Sequence, residues 1–452
     1  MSLAASLDFT YRYRFATTVE QRDGSFGLRL ATFGGEESNP CFFEGQIKQA
    51  KVVADTLLAL SNVVRTHFFL PRPALLDPVI TCSDGVLRFE GFSGCCGVYA
   101  RVDLRSETFD CEITGRGTTN VDFNAEMCVG LAKLRSRRDA RLAVGTREVA
   151  LHVGDEAMIE KRVKLPIRWI TCFSEVQAYQ PTLKMRFEVK TPEILRFIRG
   201  LPHGGSRRSP AWVVPAGRGL RLSQREQRNG VRVMGLDRLR ALENLATTAS
   251  GLRVWSDDGA GVSAWEVLFE TGRFLLVISP ELYRGFSGEG QVLESLARKD
   301  WQDVIASVRA ALTWNAHVDV ARVAIDCDIS EDDVTAALAA LGARGLVGYD
   351  IADGKYFHRE LPFDLSQVEA LQPRLTSARK LVAEKRVREH QRISDDRIEI
   401  LVIGTDVDYL VRLNPEQDRC TCLWFSKYRG ERGPCKHVLA ARMFVDGDDD
   451  DA

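Results

Sequence analysis

Three cysteines and a histidine fall within the eighteen residues CTCLWFSKYRGERGPCKH, from Cys420 to His437. They form two pairs, Cys420-x-Cys422 and Cys435-x-His437, with twelve residues between them. Thiolate and imidazole are the usual ligands of structural zinc, which takes four of them in a tetrahedron. At the end of an extended strand, residues i and i+2 point to the same face, so Cys420 and Cys422 are placed to share one ion. Cys435 and His437 follow Pro434 and precede an apolar helical run, which puts them at a strand-to-helix corner. A bound metal would replace the hydrophobic core that so small a module cannot assemble. Four protein ligands leave no position for water, which argues against zinc-assisted hydrolysis. A redox dithiol fits less well, because Cys-x-Cys is not the Cys-x-x-Cys of thioredoxin-like motifs.

The elements around the four ligands are readable. Two strand-like runs, IEILVIG (398–404) and YLVRL (409–413), precede the cysteines, and a short helix, HVLAARMF (437–444), follows them. Upstream, RLTSARKLVAEKRVREHQR (374–392) reads as a basic helix within residues 370–395, with a thin apolar stripe of Leu381, Val382 and Val387. Glu384 and Arg388 offer it an i,i+4 pair. The last residues, DGDDDDA (446–452), form an acidic tail expected to stay unstructured.

Cys-x-Cys, a variable gap and Cys-x-His, with two strands before and a short helix after, resembles the SWIM zinc finger. The resemblance covers residues 396–445 and extends to the texture CKHVLAA around His437. It implies a ββα finger holding Zn2+ through Cys420, Cys422, Cys435 and His437. SWIM fingers occur in bacterial helicase-like ATPases, plant transposases, ubiquitin-pathway proteins and bacterial proteins without a catalytic domain. The family is associated with DNA and with protein partners, so the resemblance implies the metal more sharply than the partner. Candidate contact residues are Trp424, Lys427, Tyr428, Arg429, Arg432 and Lys436 on the finger. Arg379, Lys380, Lys385, Arg386 and Arg388 add candidates on the basic helix. Aromatic and basic side chains together suit nucleic-acid stacking, and equally an acidic protein surface.

The rest of the chain reads as multidomain α+β. Residues 1–202 mix strand-like runs (8–15, 86–92, 97–104, 184–190) with helix-like runs (46–63, 191–200), without regular βαβ spacing. Residues 203–230, rich in Gly, Pro, Ser and Arg, read as a linker or long basic loop. An α+β continuation fills 231–297, with a helix expected over 237–249 and strands over 265–279. Residues 298–362 read as three helices and a hairpin turning at Asp353-Gly354, which resembles a winged helix-turn-helix. Its third helix would open on Ser330, Glu331, Asp332 and Asp333. Carboxylates at the start of a recognition helix repel phosphate, so this module reads as a structural or protein-contact element. Two further basic stretches could meet DNA: Lys133, Arg135, Arg137, Arg138 and Arg141, and Arg207, Arg208, Arg218, Arg221, Arg225 and Arg228.

Composition sets the frame. The 452 residues exceed what one core usually organises. Net charge is −1, so nothing pulls the whole chain toward nucleic acid or anionic lipid. The opening MSLAASLDFTYRYRF lacks a secretory pattern, no apolar run reaches membrane-spanning length, and cysteines occur in an odd number; all three favour a reducing cytoplasm. Cys95-Cys96 is unusual, with one thiol expected in a core and the other on the opposite face of a strand. No phosphate-binding Gly-rich loop, nucleophile elbow or His-Glu-x-x-His is present. The reading is a non-catalytic zinc adaptor for a protein partner or DNA. A DNA-binding regulator is the alternative, and an enzyme with an unrecognised N-terminal site comes after that.

Overall fold

A computed structural model of the chain describes residues 18–448 apart from internal stretches, the longest being 30–40, 69–77, 203–208, 294–300 and 362–371. The strand-like run 8–15, Arg137, Arg138, Arg207, Arg208 and the tail residues 449–452 lie outside the described residues. The described part mixes α and β. Its centre is an eight-stranded antiparallel sheet in the order Lys184–Lys190, Gly251–Ser256, Ser263–Leu268, Gly272–Ile278, Val98–Arg105, Val86–Phe92, Val79–Ser83, Gly117–Asn120. One face is apolar, with Leu87, Phe89, Val102, Leu104, Phe274 and Leu276 all buried. The helix Ala50–Arg65 lies against it. Gly91, on the same face, leaves room for Val64, which a Cβ would strike.

The opposite face is charged and yet buried. Arg88 pairs with Asp103 in register, and Glu90 with Arg101, so these side chains share one side of the sheet. They are covered by the segment that follows residue 300. There the helices Ile305–Ala311, Val320–Cys327 and Glu331–Ala343 precede a hairpin of Val347–Asp350 and Lys355–His358, with Gly354 at φ +63° in the turn. Ser330 caps the third helix in a capping box with Asp333, as its spacing predicts. The hairpin faces the sheet: Arg101 donates to the Tyr349 carbonyl at 2.7 Å and Arg88 to the Ala316 carbonyl at 3.1 Å.

Five expectations need correction. Residues 374–392 are not one helix. The helix runs Pro373–Ala383, Lys385 takes a left-handed φ of +53°, and Val387–Ser394 is an edge strand paired with Arg397–Val402. The apolar stripe at Leu375, Ala378 and Leu381 stops there, and ladder hydrogen bonds replace helical ones. Residues 203–230 hold a hairpin, Ala211–Ala216 with Gly219–Ser223, because Leu220 and Leu222 pack on the main core. The run 237–249 forms 3-10 turns, Leu236–Leu242 and Leu245–Thr247, which suit leucines at every third position. The final helix continues to Asp448, into the expected tail. Cys95 and Cys96 are both buried in a turn between strands, not on a strand. That turn brings together two Gly-Phe-Ser-Gly stretches, residues 91–94 and 285–288: the Phe286 amide donates to the Cys96 carbonyl at 2.8 Å, and the Phe92 and Phe286 rings lie 6.2 Å apart. Among the described residues, no helix is long and apolar enough to cross a membrane.

Candidate metal centre

The C-terminal unit is a four-stranded sheet, Val387–Ser394, Arg397–Val402, Tyr409–Leu413 and Arg419–Cys420, on which the helix Lys436–Asp448 packs, with the helix Pro373–Ala383 packed in turn on that helix. Ile398, Ile400, Val402, Val411, Val438 and Leu439 supply its core. Cys420 ends the last strand, opposite Val411. Cys422 sits two residues on, at the start of the short helix Leu423–Tyr428. Cys435 and His437 sit at the start of the long helix, as the Pro434 corner predicts.

The four donor atoms lie within 4.8 Å of one another, and all four residues are buried. Cys420 Sγ and His437 Nδ1 are 3.7 Å apart. Ligands of tetrahedral zinc at about 2.0–2.3 Å stand about 3.5–3.8 Å from each other, so the set fits one ion. The thiolate character is supported locally. Cys422 Sγ accepts the Phe425 amide and Cys435 Sγ the Val438 amide, each at 3.4 Å. Both sulfurs thus face the positive end of a helix turn. Three sulfurs this close share protons: contact with Cys420 and Cys435 draws the Cys422 thiol down, and contact with Cys422 and Cys435 pushes Cys420 up. Tyr409 stacks on His437 at 4.1 Å and fixes the ring plane.

Two arginines hold the frame, and spacing alone did not single them out. Arg374 donates to the carbonyls of Arg432 and Pro434, at 3.0 and 2.8 Å, which anchors the turn before Cys435. Its guanidinium also lies over Trp424 at 4.6 Å. Arg442 grips Asp418 with two bonds, at 2.9 and 2.7 Å, and ties the turn before Cys420 to the long helix. The only sequence signal for Arg442 is its place one to two helical turns after His437, and Arg374, on a separate helix, has none.

The contact candidates divide. Lys427, Arg429 and Lys436 are exposed. Trp424 and Tyr428 are half-buried, with rings 4.5 Å apart. Arg432 is buried, its guanidinium 4.5 Å from the Tyr428 ring, so it braces the aromatic pair from inside. Arg379 and Lys380 lie exposed on the first helix, Lys385 in the turn, and Arg386 and Arg388 beyond it, so they do not form one face. Glu384 pairs with Lys380 at 3.6 Å and Arg386 at 3.5 Å, in place of the expected Arg388. The structure adds Leu423, which sequence reasoning passed over: it is 88 % exposed beside the zinc ligand Cys422.

A second polar cluster lies between the large sheet and the hairpin at 347–358. Asp350 contacts Arg273 and Arg101, Asp103 takes Arg101 at 3.0 Å and Arg273 at 3.1 Å, and Glu90 takes Arg359 and, at 2.6 Å, Tyr99. Burial works against ionisation of Asp350, yet Arg101, His317 and Arg273 together hold it well below the usual carboxylate range. His317, Asp350 and Asp353 come within 4.8 Å of one another, but two guanidinium groups already occupy the Asp350 oxygens. The cluster is an ion-pair lock. Charged residues at alternate positions of strands were its only trace in the sequence.

Residues 409–441 match the family model of the SWIM zinc finger. No curated protein matches the chain. The matched residues contain all four ligands, so the C-terminal unit is a SWIM finger with a zinc site built from Cys420, Cys422, Cys435 and His437.

Proposed function

We propose that this chain is a non-catalytic, zinc-dependent adaptor of the cytoplasm whose finger binds an acidic patch on a protein partner. The observation that carries the reading is Leu423, an apolar side chain left almost fully exposed on a finger that also exposes the cations Lys427, Arg429 and Lys436. An apolar anchor within a charged rim is the anatomy of a protein interface. Four protein ligands leave zinc no open position, so its role is to fold and hold this surface. The winged-helix-like reading of residues 298–362 fits the same picture. Its hairpin is committed to the sheet through Tyr349, Asp350 and Arg359, and its third helix opens on three carboxylates. Both features support a structural or protein-contact role for that module.

DNA is the second reading, supported by the half-buried Trp424–Tyr428 pair beside exposed lysine and arginine. Affinity capture from an extract of the native host, with and without nuclease, separates the two. The adaptor reading expects a partner that survives nuclease and is lost with Leu423→Asp. Capture that disappears with nuclease and ignores Leu423→Asp would favour DNA.

A further inference from the structure

We propose that the hairpin Ala211–Ala216/Gly219–Ser223 and the loop after it form a docking surface for the phosphate backbone of a nucleic-acid duplex, through Arg218, Arg221, Arg225 and Arg228. The surface lies outside the zinc finger and is independent of the reading given to it.

Local structure aims these four arginines outward. Leu220 and Leu222 pack against the main core, so strand alternation turns Arg221 to solvent. Ala216 pairs with Gly219, leaving Gly217 and Arg218 as a two-residue turn with Gly217 at φ +60°. A Cβ at Gly217 would meet nothing within 4 Å, so the tip that carries Arg218 stands clear. Ser223 Oγ accepts the Arg225 amide at 3.2 Å and donates to the Arg225 carbonyl at 2.7 Å, which fixes the start of the loop bearing Arg225 and Arg228. All four side chains are exposed.

What distinguishes them is the lack of a counter-charge. Among the described residues, none of the four has a salt bridge or side-chain hydrogen bond. The described members of the other basic stretch of the N-terminal region each have a carboxylate: Lys133 pairs with Glu156, Arg135 with Asp55 and Arg141 with Glu44. Glu193, which lies beside Gly219, is taken by Arg196. Within the loop 224–230 the one acidic residue is Glu226.

Shape and chemistry favour a duplex over an acidic protein. None of the large apolar side chains exposed among the described residues lies on this hairpin, so it lacks the anchor that a protein interface needs. A two-stranded ribbon fits the major groove, which is about 12 Å wide. Guanidinium groups match phosphate oxygens two at a time.

The test is fluorescence anisotropy of a labelled DNA duplex with the full zinc-loaded chain across a salt series. Wild type should bind with an affinity that falls linearly on a log–log salt plot, each phosphate contact contributing about 0.9 to the slope. Combined Arg218→Ala, Arg221→Ala, Arg225→Ala and Arg228→Ala should lower that slope by about 3–4, with zinc content unchanged. Should this variant fold poorly, Arg225→Ala with Arg228→Ala, in the loop alone, should lower it by about 2. Cys435→Ser, which disables the finger, should leave the hairpin's share of the slope in place. An unchanged slope in the arginine variants, or a wild-type chain without salt-dependent affinity, overturns the proposal. So does binding of poly-glutamate that the variants abolish while duplex affinity is untouched.

Discussion

Cys435 is the residue on which the finger depends most. It is 1 % exposed, and its sulfur accepts the Val438 amide in the first turn of the long helix. Cys435→Ser removes one of four ligands, and with it most of a binding free energy of about 10–16 kcal/mol that doubles as folding energy in zinc modules. The expected result is loss of zinc by metal analysis and loss of ellipticity in the same sample. Acid should act in the same direction, because the ligands bind the ion only when deprotonated. A buried pair offers a second test at this scale. Arg359 and Glu90 are both fully buried and bonded to each other. Arg359→Ala would leave the carboxylate with Tyr99 alone, and should destabilise by about 3–5 kcal/mol in thermal or urea unfolding. Arg432→Ala should loosen the tilted Trp424–Tyr428 pair and raise tryptophan solvent exposure in fluorescence quenching. Lys427→Ala, on the exposed side of the Tyr428 ring, should leave that signal unchanged.

At the scale of elements, the large sheet carries a pH dependence. Glu266 lies on strand Ser263–Leu268, with Arg253 at 3.8 Å and Arg273 at 3.7 Å on the neighbouring strands. Burial pushes its carboxyl up to about 7, against the pull of Arg273. A carboxyl raised in the fold binds its proton more tightly there than in the unfolded chain. Its stabilising contribution is therefore complete below the unfolded value and lost as pH rises through about 7. Glu266→Gln should flatten the stability profile between pH 5 and 8, and should be more stable than wild type at the alkaline end by about 1–3 kcal/mol. Local pattern showed much at this scale, and its failures have physical causes. The capping box at Ser330 and Asp333, the Asp353-Gly354 turn and the strands beside the cysteines are all set by contacts a few residues apart. The edge strand Val387–Ser394 was hidden, because seven of its eight residues are exposed and its alternation carries no apolar signal. Its helix-like composition hid the left-handed break at Lys385. The charged sheet face was hidden for the opposite reason. Arg88, Glu90, Arg101 and Asp103 alternate with apolar residues and so read as a solvent face, until a hairpin some 250 residues later covers them.

Across the whole molecule, three large hydrophobic cores are distinct among the described residues. One joins the large sheet, the helix Ala50–Arg65 and the helix Ile167–Tyr179. A second lies among the helices and hairpin from Trp301 to Tyr356. The third lies within the finger unit, with Ala343, Val292 and Leu293 joining it from the preceding region. Zinc therefore governs the finger core and not the other two. Chelation should remove hydrogen-exchange protection from residues 397–448 while the strands Val86–Phe92 and Val98–Arg105 keep theirs. The zinc ligands were legible because their donors are rare residue types at tight spacing. The ion-pair lock was not, because its partners are spread from Arg88 to Arg359 and only the fold collects them. The central claim is that Cys420, Cys422, Cys435 and His437 close around one ion. X-ray absorption at the zinc edge, on protein purified without added metal, tests it most directly. The account predicts one zinc per chain with three sulfur neighbours and one nitrogen, falling to background in Cys435→Ser. A metal-free protein that keeps its C-terminal fold, or a zinc bound through oxygen, would contradict it.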